Sequence, residues 1–141
     1  MRSSALARLA RSSVAHVGFA FVAMGAWAAF ANRGHEPARI LLAALVQGLI
    51  SGAITLVLKR ALEAMTARLS GHAAVIVPPT VTCIVVLAVL VSLHRLAGTP
   101  EIWTTIALPY AVSSTYAWVY TAGLVVAARR AAQTASRGAV R

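Results

Sequence analysis

Four long apolar runs dominate the chain; none contains an acidic side chain, and basic ones occur only near the ends, at His16 and Arg39. They fall at about residues 13–31, 38–58, 73–93 and 102–128. A hydrocarbon layer ~30 Å thick is crossed by a helix of about 20 apolar residues, and each run meets that length. A transmembrane strand would instead alternate apolar and polar residues over about 10 positions. Stretches such as Ile40–Ile50 and Val81–Val91 put apolar residues at consecutive positions, on every face. The pattern predicts an all-α integral membrane protein. Residues 1–141 form one membrane domain, a four-transmembrane-helix bundle with a loop at 59–72 on one side and turns at 32–37 and 94–101 on the other.

The composition agrees. The chain is 60% hydrophobic and 11% charged, with a mean hydropathy of +0.79. A soluble domain runs ~45–50% apolar and ~25% charged, so this chain has too little polar surface to cover a core in water.

Charge sets the expected orientation. The net charge is +10, from 13 Lys and Arg against 3 acids. Ten of the basic residues flank the same side of the runs: Arg2, Arg8, Arg11, Lys59, Arg60, Arg68, Arg129, Arg130, Arg137 and Arg141. Only Arg33, Arg39 and Arg95 fall on the other. The positive-inside rule places both termini and the 59–72 loop in the cytoplasm. Trp27, Phe30 and Trp103 then form an aromatic belt at the outer interface. The basic side would attract anionic lipids at ~1 kcal/mol per residue. Nucleic acid is not the expected partner, because the basic residues punctuate apolar runs instead of forming a face on a soluble domain. Lysine occurs once, at Lys59, among many alanines and arginines, which fits a GC-rich bacterial genome and so the bacterial inner (plasma) membrane. A competing reading takes residues 1–31 as a secretory signal, with Ala29-Phe30-Ala31 as the cleavage site. That would leave three spans. The long first run, ending in Trp27 and Phe30, suits a retained anchor better.

Small and polar residues mark packing faces. Gly48 and Gly52 are four apart on span two, so a second helix can approach closely there. Gly18 and Gly25 suggest a similar face on span one. Gln47, Ser51 and Thr55 make a polar strip beside the Gly48 face. On span four, Thr105, Pro109, Ser113 and Tyr116 fall on one side at spacings of four, four and three. Pro109 should bend that helix and free a carbonyl. Polar groups at membrane depth must meet other helices, a second protomer or water, so these seven residues line either a helix interface or a solute pathway. Span three opens with Val77-Pro78-Pro79. Either the helix starts at the prolines, where a missing N–H is harmless, or it starts near Ala73 and the pair kinks it.

The two outer turns resemble one another. Aligning Pro37 with Pro100 also matches Ala44 with Ala107 and Ser51 with Ser114, a pattern of two pseudo-repeated helical hairpins. Thr99 is the expected N-cap of span four and Pro100 its first residue, while Glu36-Pro37 opens span two. Arg33, His35, Glu36, His94, Arg95 and Glu101 gather at these turns. Salt bridges joining the hairpins are the expected use of this cluster; a metal site lacks closely spaced ligands within either turn.

No phosphate-binding glycine loop, nucleophile elbow, H-E-x-x-H or C-x-x-C motif occurs. The lone Cys83 sits in an apolar run and reads as a small buried hydrophobe. Size and helix count match small four-helix multidrug exporters, but those depend on a glutamate in the first span, and here that span has no acid. The expectation is therefore a non-enzymatic multi-pass protein without metal or cofactor. It would act as a subunit or assembly factor, through a homo-oligomer or a membrane-protein partner, packed through the Gly48/Gly52 face. The alternatives are a small channel or carrier for a neutral or anionic solute lined by span four, and a lipid-handling enzyme using the outer His/Glu cluster.

Overall fold

The computed structural model describes residues 2–139, with side chains from Val14 to Arg137. Four helices follow one another: α1 (Arg2–Ala31), α2 (Pro37–Thr66), α3 (Ala73–Leu96) and α4 (Ile102–Ala139). No strand occurs among the described residues. All four helices are long and apolar enough to cross a membrane.

The helices outrun the apolar segments at one end. α2 continues past residue 58 to Thr66, through a Lys59–Met65 stretch rich in good helix formers. The 38 residues of α4 extend for about 57 Å at 1.5 Å per residue. α3 begins at Ala73, so Pro78 and Pro79 lie inside the helix and buried, not at its start. They deprive the carbonyls of Ala74 and Val75 of their helical donors. Nearby threonines bond back onto the same helix, Thr80 Oγ1 to Ile76 O at 2.7 Å and Thr82 Oγ1 to Pro78 O at 2.6 Å.

α2 is the central element, packed on α1, α3 and α4; α4 in turn meets α3 and α1. Among the described residues α1 and α3 do not touch. One core cluster joins Ile50, Val86, Leu90 and Ile106, and a second joins Leu58, Leu62 and Ala117. Buried residues recur every four positions along α3, at Ala74, Pro78, Thr82, Val86, Leu90 and His94. α4 does the same at Thr105, Pro109, Ala117, Thr121 and Val125. Rows at this spacing are the ridges that pack into the grooves of a neighbouring helix. The outer surface is apolar on every helix: Phe19 is 75% exposed, Leu49 64%, Ile84 63% and Val119 69%. A surface of this kind suits a hydrocarbon environment, since in water it would be a large adhesive patch.

The glycines of α2 form the seam with α1. A Cβ on Gly48 would stand 2.9 Å from both the Phe21 ring and the Phe21 carbonyl oxygen. One on Gly52 would stand 3.3 Å from Val17, and one on Gly25 3.0 Å from the Ala44 carbonyl oxygen. Gly18 is different: a Cβ there meets nothing within 4 Å, so it lies off the seam that its spacing suggested. The Gly48/Gly52 face is therefore filled by α1 and is not open to a second chain. Gly48→Ala, which must displace backbone, is expected to lower stability by about 1–3 kcal/mol, and Gly18→Ala to leave it unchanged. Unfolding of the two variants in detergent, followed by circular dichroism, checks this contrast.

Candidate functional site

The polar side chains of the bundle collect at the end that carries the two short turns. The α3–α4 turn is fixed by the end of α3. Gly98 takes a left-handed conformation (φ +64). Its N–H bonds to Arg95 O at 3.1 Å and the Thr99 N–H to His94 O at 3.0 Å. This paired closure is a common helix stop, and it favours glycine at the left-handed position.

With the turn held, Thr99 points back at α3. Its Oγ1 lies 2.8 Å from His94 Nδ1, and His94 Nε2 lies 2.9 Å from Gln47 Oε1. Gln47 Nε2 donates to Ser51 Oγ at 2.8 Å, and Thr55 Oγ1 donates to Ser51 O at 2.8 Å. His94 and Gln47 are fully buried, with 0% exposure. A ring with its proton on Nε2 donates to Gln47 and accepts from the Thr99 hydroxyl, so every partner is met. Arg39 Nη1 adds a bond to Gly98 O at 3.0 Å. Together these contacts tie α2 to α3.

A second group ties α1 to α4. Asn32, also fully buried, donates through Nδ2 to Ala28 O and to Thr105 Oγ1, each at 2.8 Å. Its Oδ1 accepts the Glu101 backbone N–H at 3.0 Å. Thr105 Oγ1 donates to Glu101 O at 2.6 Å. Trp27 Nε1 donates to Thr104 O at 3.0 Å, and His35 Nε2 meets Glu101 Oε1 at 3.1 Å. Asn32 thus serves the first turn of α4 from 69 residues away. Thr99, the expected cap, is instead engaged by His94, and α4 begins at Ile102.

The outer-turn residues divide. His35 and Glu101 meet, as a tie between hairpins requires. His94 turns into the bundle, away from that pair. Arg33 packs over the Phe30 ring at 4.2 Å and donates to Phe30 O at 2.9 Å, binding no glutamate. Glu36 caps α2 through its backbone, with Pro37 in the first position and no side-chain bond. Arg95 is exposed and joins no ion pair. Among the described residues no three His, Cys, Asp or Glu side chains come together. The sequence does not mark Asn32 or Arg39 as a site residue, because an asparagine or arginine near a turn looks like any solvated loop residue. The available signal was that Asn32 directly follows a long apolar run.

On α4, Thr105 and Pro109 are buried and Ser113 partly so; Ser113 Oγ donates to Pro109 O at 2.8 Å. Tyr116 departs from this face. It is 39% exposed and stacks on Tyr120, ring centroids 5.2 Å apart. Spacings of four keep to the buried ridge, and the final step of three leaves it, so the inward row continues through Ala117 and Thr121. Tyr120 donates to Glu63 Oε1 at 2.6 Å, a clasp between α4 and α2 near the other end. Beside it an open groove of about 530 Å³ runs along α4, lined by Ala111, Val112, Thr115, Tyr116, Val119 and Tyr120.

No protein-family model, curated protein or solved structure matches this chain. The buried members of this polar cluster bond to one another, and its one acid–base pair, His35 with Glu101, is half-exposed. His94→Ala would leave the Gln47 carbonyl and the Thr99 hydroxyl unmatched in a buried site, and a loss of about 1–3 kcal/mol is expected. Glu101→Gln removes only a half-exposed pair and should cost less than ~1 kcal/mol. Unfolding midpoints of the two variants in the same detergent give the comparison.

Proposed function

We propose that this chain is a non-enzymatic, multi-pass protein of a bacterial inner membrane, acting through helix–helix association as a subunit or assembly factor. The observation that carries the reading is the closure of the polar strip. Gln47, Ser51 and Thr55 bond to one another or to His94, which supports a packing role over a water-lined route. With the Gly48/Gly52 face filled by α1, association falls to another surface. The α4 groove fits, because Ala111 and Thr115 are small residues four apart that allow a second backbone to approach.

Both termini in the cytoplasm is the orientation we favour. The described basic side chains Lys59, Arg60, Arg68, Arg129, Arg130 and Arg137 share one end with a single carboxylate, Glu63. The pattern of contacts also favours the paired-hairpin reading. Exchanging the two hairpins maps α1–α2 onto α3–α4 and α2–α3 onto α4–α1, and leaves α1 and α3 apart.

A second reading, a path for a small neutral or anionic solute along α4, rests on Ser114 and Thr121, whose buried hydroxyls have no partner. In a Cys83→Ala background, Ser113→Cys is expected to resist a charged maleimide in intact membranes; rapid labelling would favour the path. For association, Val112→Cys and Val119→Cys should cross-link to a partner chain in native membranes, while Ile84→Cys on α3 should not. Reporter fusions in the 67–72 loop and both turns test the orientation: cytoplasmic signal from the loop and none from the turns is expected.

A further inference from the structure

The end opposite the polar ring carries a pocket of about 270 Å³ between the α2–α3 loop and α4. Its polar lining is Thr66, Ser70 and Arg129, and its apolar wall includes Leu69, Val125 and Ala128. Resting on the membrane reading above, we propose that this pocket binds the phosphate of an anionic glycerophospholipid, with the acyl chains leaving along the apolar wall.

Depth is the first support. From Trp103, at the opposite interface, to Arg129 is about 39 Å along a straight helix, and a bilayer with its headgroups is ~40–45 Å thick. From His94 to Ala74, which also lines the pocket, is about 30 Å, the thickness of the hydrocarbon layer. Both helices therefore bring the pocket to headgroup level.

Charge is the second. Six basic side chains stand at this end among the described residues, against Glu63 alone. Glu63 is already engaged by Lys59 at 3.9 Å and by Tyr120 at 2.6 Å. Arg129 has no acidic partner among the described residues, so its guanidinium is available to a phosphate.

The third support is unmet hydrogen bonding. The Thr66 hydroxyl is buried without a partner in the wall of the pocket. A helical threonine has two accessible χ1 rotamers, and a turn about χ1 would give this hydroxyl a phosphate oxygen to donate to. α3 starts beside it with no side-chain cap from His72, so the positive end of that helix adds to the attraction. The lining thus pairs one strong cation and two hydroxyls with a hydrocarbon wall, the division found within a phospholipid.

The test uses full-length protein in nanodiscs of phosphatidylcholine with a small fraction of phosphatidylglycerol. Retained lipid is counted by native mass spectrometry. Wild type should retain phosphatidylglycerol over phosphatidylcholine. Arg129→Gln should reduce that preference about tenfold, as for loss of one charge-assisted hydrogen bond, and Thr66→Val should weaken it in the same direction. Arg137→Gln makes the same charge change outside the pocket and should leave the preference intact. Equal losses in Arg129→Gln and Arg137→Gln would reduce the effect to general surface attraction and overturn the site. Displacement of the lipid by millimolar inorganic phosphate would overturn the lipid as occupant. Membrane insertion, checked separately by carbonate extraction, shows whether a failure lies with the pocket or with the membrane reading.

Discussion

The bundle depends on a ring of buried hydrogen bonds at one end. Two covalent turns join α1 to α2 and α3 to α4. The Gln47–His94–Thr99 chain joins α2 to α3, and Asn32 with Thr105 and Glu101 joins α4 to α1. Every neighbouring pair around the ring is thereby fixed. In a low-dielectric interior a bond of this kind is hard to replace, because neither partner has water to turn to. Between helices in lipid, where apolar contact alone gives little preference for a partner, such bonds and close small-residue contacts select the arrangement.

The rest of the structure follows from that fixed end. The α1–α2 seam closes on Gly25, Gly48 and Gly52, where backbones approach. The ridges of α3 and α4 then bury an apolar core around Val86, Leu90 and Ile106. Towards the opposite end the ties thin out to the Tyr120–Glu63 clasp. Of the buried hydroxyls without partners, Thr66 and Thr121 lie in that half and Ser114 near the middle of the bundle. The molecule is closed and self-satisfied at one end, and basic and less completely paired at the other. That asymmetry leaves hydrogen-bonding capacity for a ligand at the second end, whereas the polar cluster has spent its own on itself.

Several residues take partners other than those their local sequence favours, for one reason: local rules name a residue's best neighbour, and tertiary contacts offer a better one. Thr99 is a good N-cap by type and position, yet His94 sits 2.8 Å away and takes its hydroxyl. His94 and His35 look equivalent at the two turns, but one is fully buried and the other faces Glu101 at the surface. Tyr116 follows Ser113 by three residues, whereas the buried ridge of α4 advances by four, so that step carries it off the ridge. The two prolines of α3 could open a helix or lie inside one, and burial on the α3 ridge decided for the interior.

By itself the sequence determined the number of helices, their approximate limits, the polar character of the turns and the separation of charge between the two ends. Each of these depends on composition along the chain, and length and hydropathy are enough to read it. Only the tertiary structure decided which helix fills the Gly48/Gly52 face, which histidine is buried, that Asn32 caps a helix 69 residues away, and that Thr66 and Arg129 share a pocket. Those are pairings between distant segments. In an all-helical chain the backbone bonds are satisfied within each helix, so they carry no information about which helices meet, and the choice rests on a few side chains whose partners are set only when the bundle closes.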